Sequence, residues 1–117
     1  MAKIIVYGIP NCDTTKKALA WLSKKNIPFS FHDYKQQGIN KEKLNVWCNR
    51  KGWELIFNKR STTWRELTEA EQEKVRDQSS AIKIMIQYNS IIKRPIIEKG
   101  NDLLVGFNEE QYKRAFT

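Results

Sequence analysis

The stretch Tyr7-Gly8-Ile9-Pro10-Asn11-Cys12-Asp13-Thr14-Thr15 decides the fold. Just ahead of it, Ile4-Ile5-Val6-Tyr7 is a β-branched apolar run compact enough for a buried strand. Behind it, Lys16 to Asn26 reads as a helix. Gly8 and Pro10 break the strand, and Asn11 and Asp13 are residue types that cap helices. Cys12 therefore falls on a strand-to-helix turn, at or just before the first helical turn. Unpaired backbone amides and the positive end of the helix dipole favour a thiolate there. Such a setting lowers a thiol pKa from about 8.5 towards roughly 3.5–7.5. Most free cysteines are small buried hydrophobes, but a polar turn flanked by Asn and Asp is a poor place to bury one. Cys12 reads as a reactive thiol.

The size of the effect points to the type of chemistry. At pH 7 a thiol of pKa 8.5 is about 3% ionised and one of pKa 6.5 about 76%, roughly a 25-fold gain. Nucleophilicity falls with basicity at a slope of about 0.4–0.5, which returns about eightfold. Attack is then only about threefold faster. The larger benefit is that a low-pKa sulfur leaves easily when a second thiol resolves a mixed disulfide. Turnover by thiol exchange fits this turn better than one-way attack.

Working outward, Ile27-Pro28 leads into Phe29-Ser30-Phe31-His32-Asp33-Tyr34, whose alternation predicts a half-buried strand. Strand, helix and strand form a βαβ unit with parallel strands. His32, the one histidine, falls on the polar face and reads as a solvated strand residue rather than a general base. Gln36-Gln37-Gly38 reads as a turn, and Asn40 caps a second helix that Gly52 ends. Leu44, Trp47 and Cys48 recur at i, i+3 and i+4, which puts Cys48 on an apolar face as a packed, inert thiol. A nearby partner for Cys12 would sit at position 15, which is Thr15, so the site is monothiol.

Trp53 to Trp64 reads as irregular. The run Asn58-Lys59-Arg60-Ser61-Thr62-Thr63-Trp64-Arg65 suits anion binding and an ordinary surface loop equally well. Thr68-Glu69-Ala70-Glu71 matches a capping box and starts a third helix. Ser79 or Ser80 starts a fourth, with Ile82, Met85 and Ile86 as its apolar stripe. Ile91-Ile92-Lys93-Arg94-Pro95-Ile96-Ile97 enters a strand, and Gly100-Asn101-Asp102 turns it into an antiparallel partner, Leu103-Leu104-Val105. Asn108 caps a final helix with Gln111 at its third position, and Tyr112, Ala115 and Phe116 can face inwards. The order βαβ, helices, ββα is the thioredoxin-like α/β plan: a four-stranded mixed sheet with a helical insertion between its halves. We expect residues 1–117 to form a single domain with the insert at about residues 38–92.

The whole chain bounds these readings. Apolar residues are 40% of the 117 and charged ones 29%, a globular balance. No apolar run approaches the roughly 20 residues of a membrane span, and only four apolar or aromatic residues separate Lys3 from Gly8, so no secretory leader is expected. Two cysteines do not make a secreted disulfide framework, and a reducing cytoplasm is the expected compartment. Two distant cysteines and one histidine have no metal-ligand spacing, so no metal is expected. The net charge of +8, from 21 basic and 13 acidic residues, would attract anions or acidic surfaces. The lysines are spread along the chain, however, and no nucleic-acid motif accompanies them. No specific nucleic acid and no membrane are expected as partners.

With this plan in place, several stretches resemble the arsenate reductase-like (ArsC/Spx) family, most closely its small YffB-type proteins. They are Tyr7 to Thr14, Gly52-Trp53, Asn58 to Arg65, Ile91 to Ile96 and Val105-Gly106-Phe107. The resemblance implies a glutathione-dependent thiol/disulfide reductase in which Cys12 is catalytic and Arg60 and Arg94 lie near it to bind substrate. Asn11, Asp13, Thr14 and Pro95 would support them, and the Arg94-Pro95 bond would be cis. Its partners would be glutathione, as co-substrate, and a disulfide or oxidised substrate. The chain departs from the family's arsenate reductases in two places. It has Gly106-Phe107-Asn108 where they carry a third arginine, and Gly8 where they carry a histidine. Arsenate reduction is disfavoured accordingly. The Spx-type regulators, which bind RNA polymerase, generally carry a Cys-x-x-Cys switch that Thr15 removes here. A thiol-independent binding module for a protein partner is the alternative.

Overall fold

The computed structural model describes residues 3–116. In chain order the elements are β1 (Ile4–Gly8), α1 (Asp13–Lys24), β2 (Ser30–Asp33), α2 (Tyr34–Gln37) and α3 (Lys41–Lys51). Next come α4 (Trp53–Ile56), α5 (Thr62–Glu66), α6 (Glu69–Glu73), α7 (Gln78–Gln87) and a 3-10 turn at Asn89–Ile91. The chain ends in β3 (Ile96–Lys99), β4 (Asp102–Val105) and α8 (Glu109–Phe116). It divides into two units, one built from the residues up to Asp33 and from Arg94 onward, the other from Tyr34–Lys93.

The first unit contains the whole sheet, in the order β2-β1-β3-β4. β1 pairs parallel with β2 (Val6 opposite Phe31) and antiparallel with β3 (Val6 opposite Ile97), and β3 pairs antiparallel with β4 (Ile97 opposite Leu104). This mixed four-stranded sheet with helices is the thioredoxin-like arrangement. Val6, Ile97 and Leu104 share one row and therefore one face, because side chains alternate along each strand. Ala18, Trp21 and Leu22 from α1 and Tyr112 from α8 join them in one buried cluster. Trp21 meets Tyr112 edge-on at 5.4 Å between centroids, a preferred aromatic geometry. Tyr112 also donates a 2.7 Å hydrogen bond to the Gly106 carbonyl, so its buried hydroxyl is satisfied. Burial raises its pKa. Asn108 Oδ1 accepts from the Gln111 amide, as expected of a cap for α8.

In the second unit, α3 begins where Asn40 Oδ1 accepts from the Lys43 amide and ends at Gly52, whose φ of +87° suits glycine. Leu44, Trp47 and Cys48 are buried along its inner face, and Ala81, Ile82 and Met85 along that of α7. The Gln78 side chain at the start of α7 donates to Asn45 and Asn49 of α3. The Thr68–Glu71 capping box is present at α6.

Several local readings change. Gln36 and Gln37 end the short helix α2 rather than forming a turn, and the 53–64 region holds α4 and the start of α5. These short helices are tied by long-range backbone bonds: Lys93 N–H to Ile56 O at 2.8 Å and Asn58 N–H to Ile91 O at 2.6 Å. α7 is capped by Asp77, with Ser80 completing a capping box, so neither Ser79 nor Ser80 is its cap. Ile86 stands on the outer face of α7 at 42% exposure and does not belong to the apolar stripe. Ile91 lies in the 3-10 turn, and the strand begins only at Ile96.

Candidate functional site

Gly8 closes β1, Ile9 O accepts from Cys12 N–H at 3.1 Å, and the chain turns directly into α1. Cys12 itself is the N-cap of that helix, with extended backbone, and Asp13 is its first helical residue. The helix therefore starts three residues earlier than Lys16, and neither Asn11 nor Asp13 caps it. The first amides of a helix have no partners within it, and those of Thr14 and Thr15 are directed to the Cys12 sulfur as hydrogen-bond donors.

Burial alone would raise the pKa of this half-buried thiol. It is outweighed by the Thr15 amide, then the Arg94 guanidinium, the Thr15 hydroxyl and the Thr14 amide, which bring the thiol down to about 7. The Cys12 side chain makes no full capping hydrogen bond. The attraction belongs to the charged sulfur. Cys48 is the opposite case: burial among apolar side chains pushes it up to about 11.

Arg94 reaches Cys12 from the segment that leads into β3 and is followed by a cis peptide bond to Pro95. Pro95 is buried, and its carbonyl accepts the Gly106 amide at 2.7 Å, which ties it to the end of β4. Thr14 is half-buried and contributes through its amide, whereas Asn11 and Asp13 are exposed. Arg60 belongs to the other unit, where it is exposed. There its amide donates to Asn58 Oδ1 at 3.1 Å and its carbonyl accepts from Arg65 at 2.9 Å. The structure thus brings Cys12 and Arg94 together within one unit.

Thr15 is the residue that sequence reasoning passed over, having been read only as the absence of a second cysteine. It is fully buried, and a Cβ added at Gly8 would stand 2.8 Å from its hydroxyl oxygen. The signal was available: position N3 of a helix is where a side chain reaches back to the cap.

His32 packs its ring at 4.8 Å from that of Tyr7 and is half-buried rather than solvated. The Tyr7 hydroxyl donates 2.8 Å to Glu98. A surface groove of about 590 Å³, lined by Trp21, Lys25, Lys113 and Phe116 among others, includes none of the sequence-predicted site residues. Among the described residues no cluster of His, Cys, Asp and Glu could hold a metal ion, and no helix is long and apolar enough to cross a membrane.

The ArsC family model matches residues 7–115. An uncharacterized protein of Haemophilus influenzae is 44% identical over 113 residues, covering 97% of this chain and 98% of its own. A YffB protein of known structure is 42% identical, with a TM-score of 0.94 over 98% of this chain and 100% of that one. The global transcriptional regulator Spx of Streptococcus agalactiae is 32% identical over 115 residues, covering 97% of this chain and 82% of its own.

Proposed function

The chain belongs to the ArsC family, and from that premise we propose that it is a monothiol, glutathione-dependent thiol/disulfide reductase of a reducing cytoplasm. The observation that carries the reading is Cys12 at the head of α1, with its pKa near 7 and the Arg94 guanidinium against it. At neutral pH about half of such a thiol is ionised. The Cys12 thiolate attacks one sulfur of a substrate disulfide; the S–S bond breaks, and the other half leaves as a thiolate that takes a proton from water. Glutathione thiolate then attacks the mixed disulfide. It carries off the bound half and returns Cys12 as thiolate, a good leaving group because its pKa is low. Arg94 holds a carboxylate of glutathione, a task that suits the planar guanidinium fork. No metal takes part.

The test is a glutathione-coupled reduction of a glutathione mixed disulfide, with Cys12→Ser and Cys48→Ser alongside. Turnover that survives Cys12→Ser, or is lost only with Cys48→Ser, sinks the reading.

A second reading is favoured by the 32% identity to the Spx regulator. In it the chain is a binding module whose basic surface docks on a protein partner such as RNA polymerase. Partner capture that persists undiminished in Cys12→Ser, with no reductase turnover in the wild type, would support it over the enzyme.

A further inference from the structure

Thr15 is 0% exposed, and its hydroxyl oxygen has no hydrogen-bond partner. Buried hydroxyls in native proteins nearly always have one, and each exception calls for an explanation. Structural packing does not need the oxygen, since a methyl group would fill the same space. The position is specific: with Cys12 as N-cap, Thr15 is the third residue of α1, whose side chain points back along the helix to the cap. Gly8 presents no side chain, and the room that a Cβ there would take is filled by Thr15 Oγ1 and Cγ2, at 2.8 and 3.1 Å. The hydroxyl is thus sealed on one side by backbone, with the Cys12 sulfur as the acceptor within its reach.

We infer that the Thr15 hydroxyl is a positioning group kept unpaired for the Cys12 sulfur, which it serves as hydrogen-bond donor when that sulfur is ionised. The neutral thiol is a weak acceptor and leaves the hydroxyl unsatisfied. The thiolate is a strong one and completes the bond. The lowering of the Cys12 pKa by this side chain agrees with the geometry. The inference rests on the thiol-exchange reading and deepens it. When an external thiolate attacks a mixed disulfide at Cys12, a new S–S bond forms on the departing half and the Cys12 sulfur leaves with the electron pair. Thr15 then donates to that leaving sulfur.

Thr15→Val is the decisive variant, because it keeps shape and burial while replacing the hydroxyl by a methyl. Thr15→Ser restores the hydroxyl. Titration of the reduced proteins by thiolate absorbance near 240 nm needs no disulfide substrate. The midpoint in Thr15→Val should rise by about one pH unit, a tenfold loss in thiol ionisation, as expected for one hydrogen bond to a charged group. Thr15→Ser should stay near the wild type, and Thr15→Val should melt no earlier than it. Resolution of a preformed glutathione mixed disulfide should be several-fold slower in Thr15→Val. If Thr15→Val does not fold, Thr15→Ala removes the same oxygen and is read in the same way. An unmoved midpoint in the variants lacking the hydroxyl, or an equal rise in Thr15→Ser, would overturn the inference. A shifted midpoint in a protein with no turnover would instead sink the reductase reading and leave Thr15 in place.

Discussion

A Cβ placed on Gly8 would lie 2.8 Å from Thr15 Oγ1, so the last residue of β1 and the third of α1 are fitted to one another. The atom met is not the loose end of a long side chain. It belongs to a β-branched residue, fully buried and stiff at χ1. Gly8→Ala should therefore destabilise the protein by about 1–3 kcal/mol, the usual cost of overpacking. With Thr15→Ala already present, the closest remaining atom is Thr15 Cβ at 3.6 Å, and adding Gly8→Ala should cost far less. Urea unfolding of both single variants and the double variant measures the coupling. Strict additivity would show that the contact does not limit position 8.

The two thiols should label in separate pH ranges. Iodoacetamide should modify Cys12 with a midpoint near 7. Cys48, 2% exposed and pushed up to about 11, should react only when the protein opens. Mass spectrometry of protein labelled at pH 6 to 9 checks this. Faster labelling at Cys48 in folded protein would contradict it.

The same thiols shape stability against pH with opposite signs. Cys12 is lower in the folded state, about 7, than its ordinary value of 9.0. Between these values the unfolded chain holds the proton that the folded one has lost, so stability rises with pH. The contribution is full above about 9 and is lost as pH falls through about 7. Cys48 is raised instead, so its contribution is full below its ordinary 9.0 and is lost as pH rises through about 11. The stability difference between wild type and Cys12→Ser should grow from pH 7 to 9. That between wild type and Cys48→Ser should shrink from pH 9 to 11. Denaturant midpoints across the range test both slopes, and a flat Cys12 difference would remove the thiolate from the folded state.

Arsenate should be a poor substrate. Gly106-Phe107-Asn108 stands where the family's arsenate reductases carry a third arginine, and position 8 cannot take a side chain without moving Thr15. Neither place supplies the arginine that would hold an oxyanion or the histidine that would activate the thiol. Arsenate turnover with glutathione that matched a family arsenate reductase assayed alongside would refute this.

What could be read in the sequence was local. Asn40, Thr68 and Asn108 were recognisable as caps because a cap is defined within four residues. Cys48 could be placed because its neighbours Leu44 and Trp47 share a helical face. The Cys12 turn stood out because a strand ends and a helix begins within five residues. Asp77 was missed because Ser79 and Ser80 compete with it as caps, and only the fold decides among them. α4 and α5 have no periodicity of their own, since they are held through Phe57, which bridges to Ile92 and packs edge-on against Trp64. Thr15 was legible only as the third position of a helix behind Cys12; its burial against Gly8 is a tertiary fact with no sequence pattern. The pairing of Arg94 with Cys12 spans most of the chain, and only family resemblance pointed to it.

Arg94 should act on the thiol by charge and on glutathione by shape. A cation close to a thiolate favours its charged form, and the Arg94 side chain lowers the Cys12 pKa here through a hydrogen bond to the sulfur, which a lysine ammonium at the same place can also donate. A carboxylate held by a guanidinium gains two parallel hydrogen bonds that an ammonium cannot reproduce. A charge-assisted bond contributes roughly 1.5–3 kcal/mol, or about 10- to 150-fold in affinity. A solvated, exposed pair would contribute only about 0–1 kcal/mol. Arg94→Lys should therefore keep the Cys12 midpoint close to 7 while weakening glutathione binding. Arg94→Ala should raise the midpoint and weaken binding together. Thiolate titration and calorimetric glutathione binding on the two variants separate the two roles. An unchanged midpoint and affinity in Arg94→Ala would return Arg94 to the solvated surface, whereas equal binding losses in Arg94→Lys and Arg94→Ala would assign recognition to the fork.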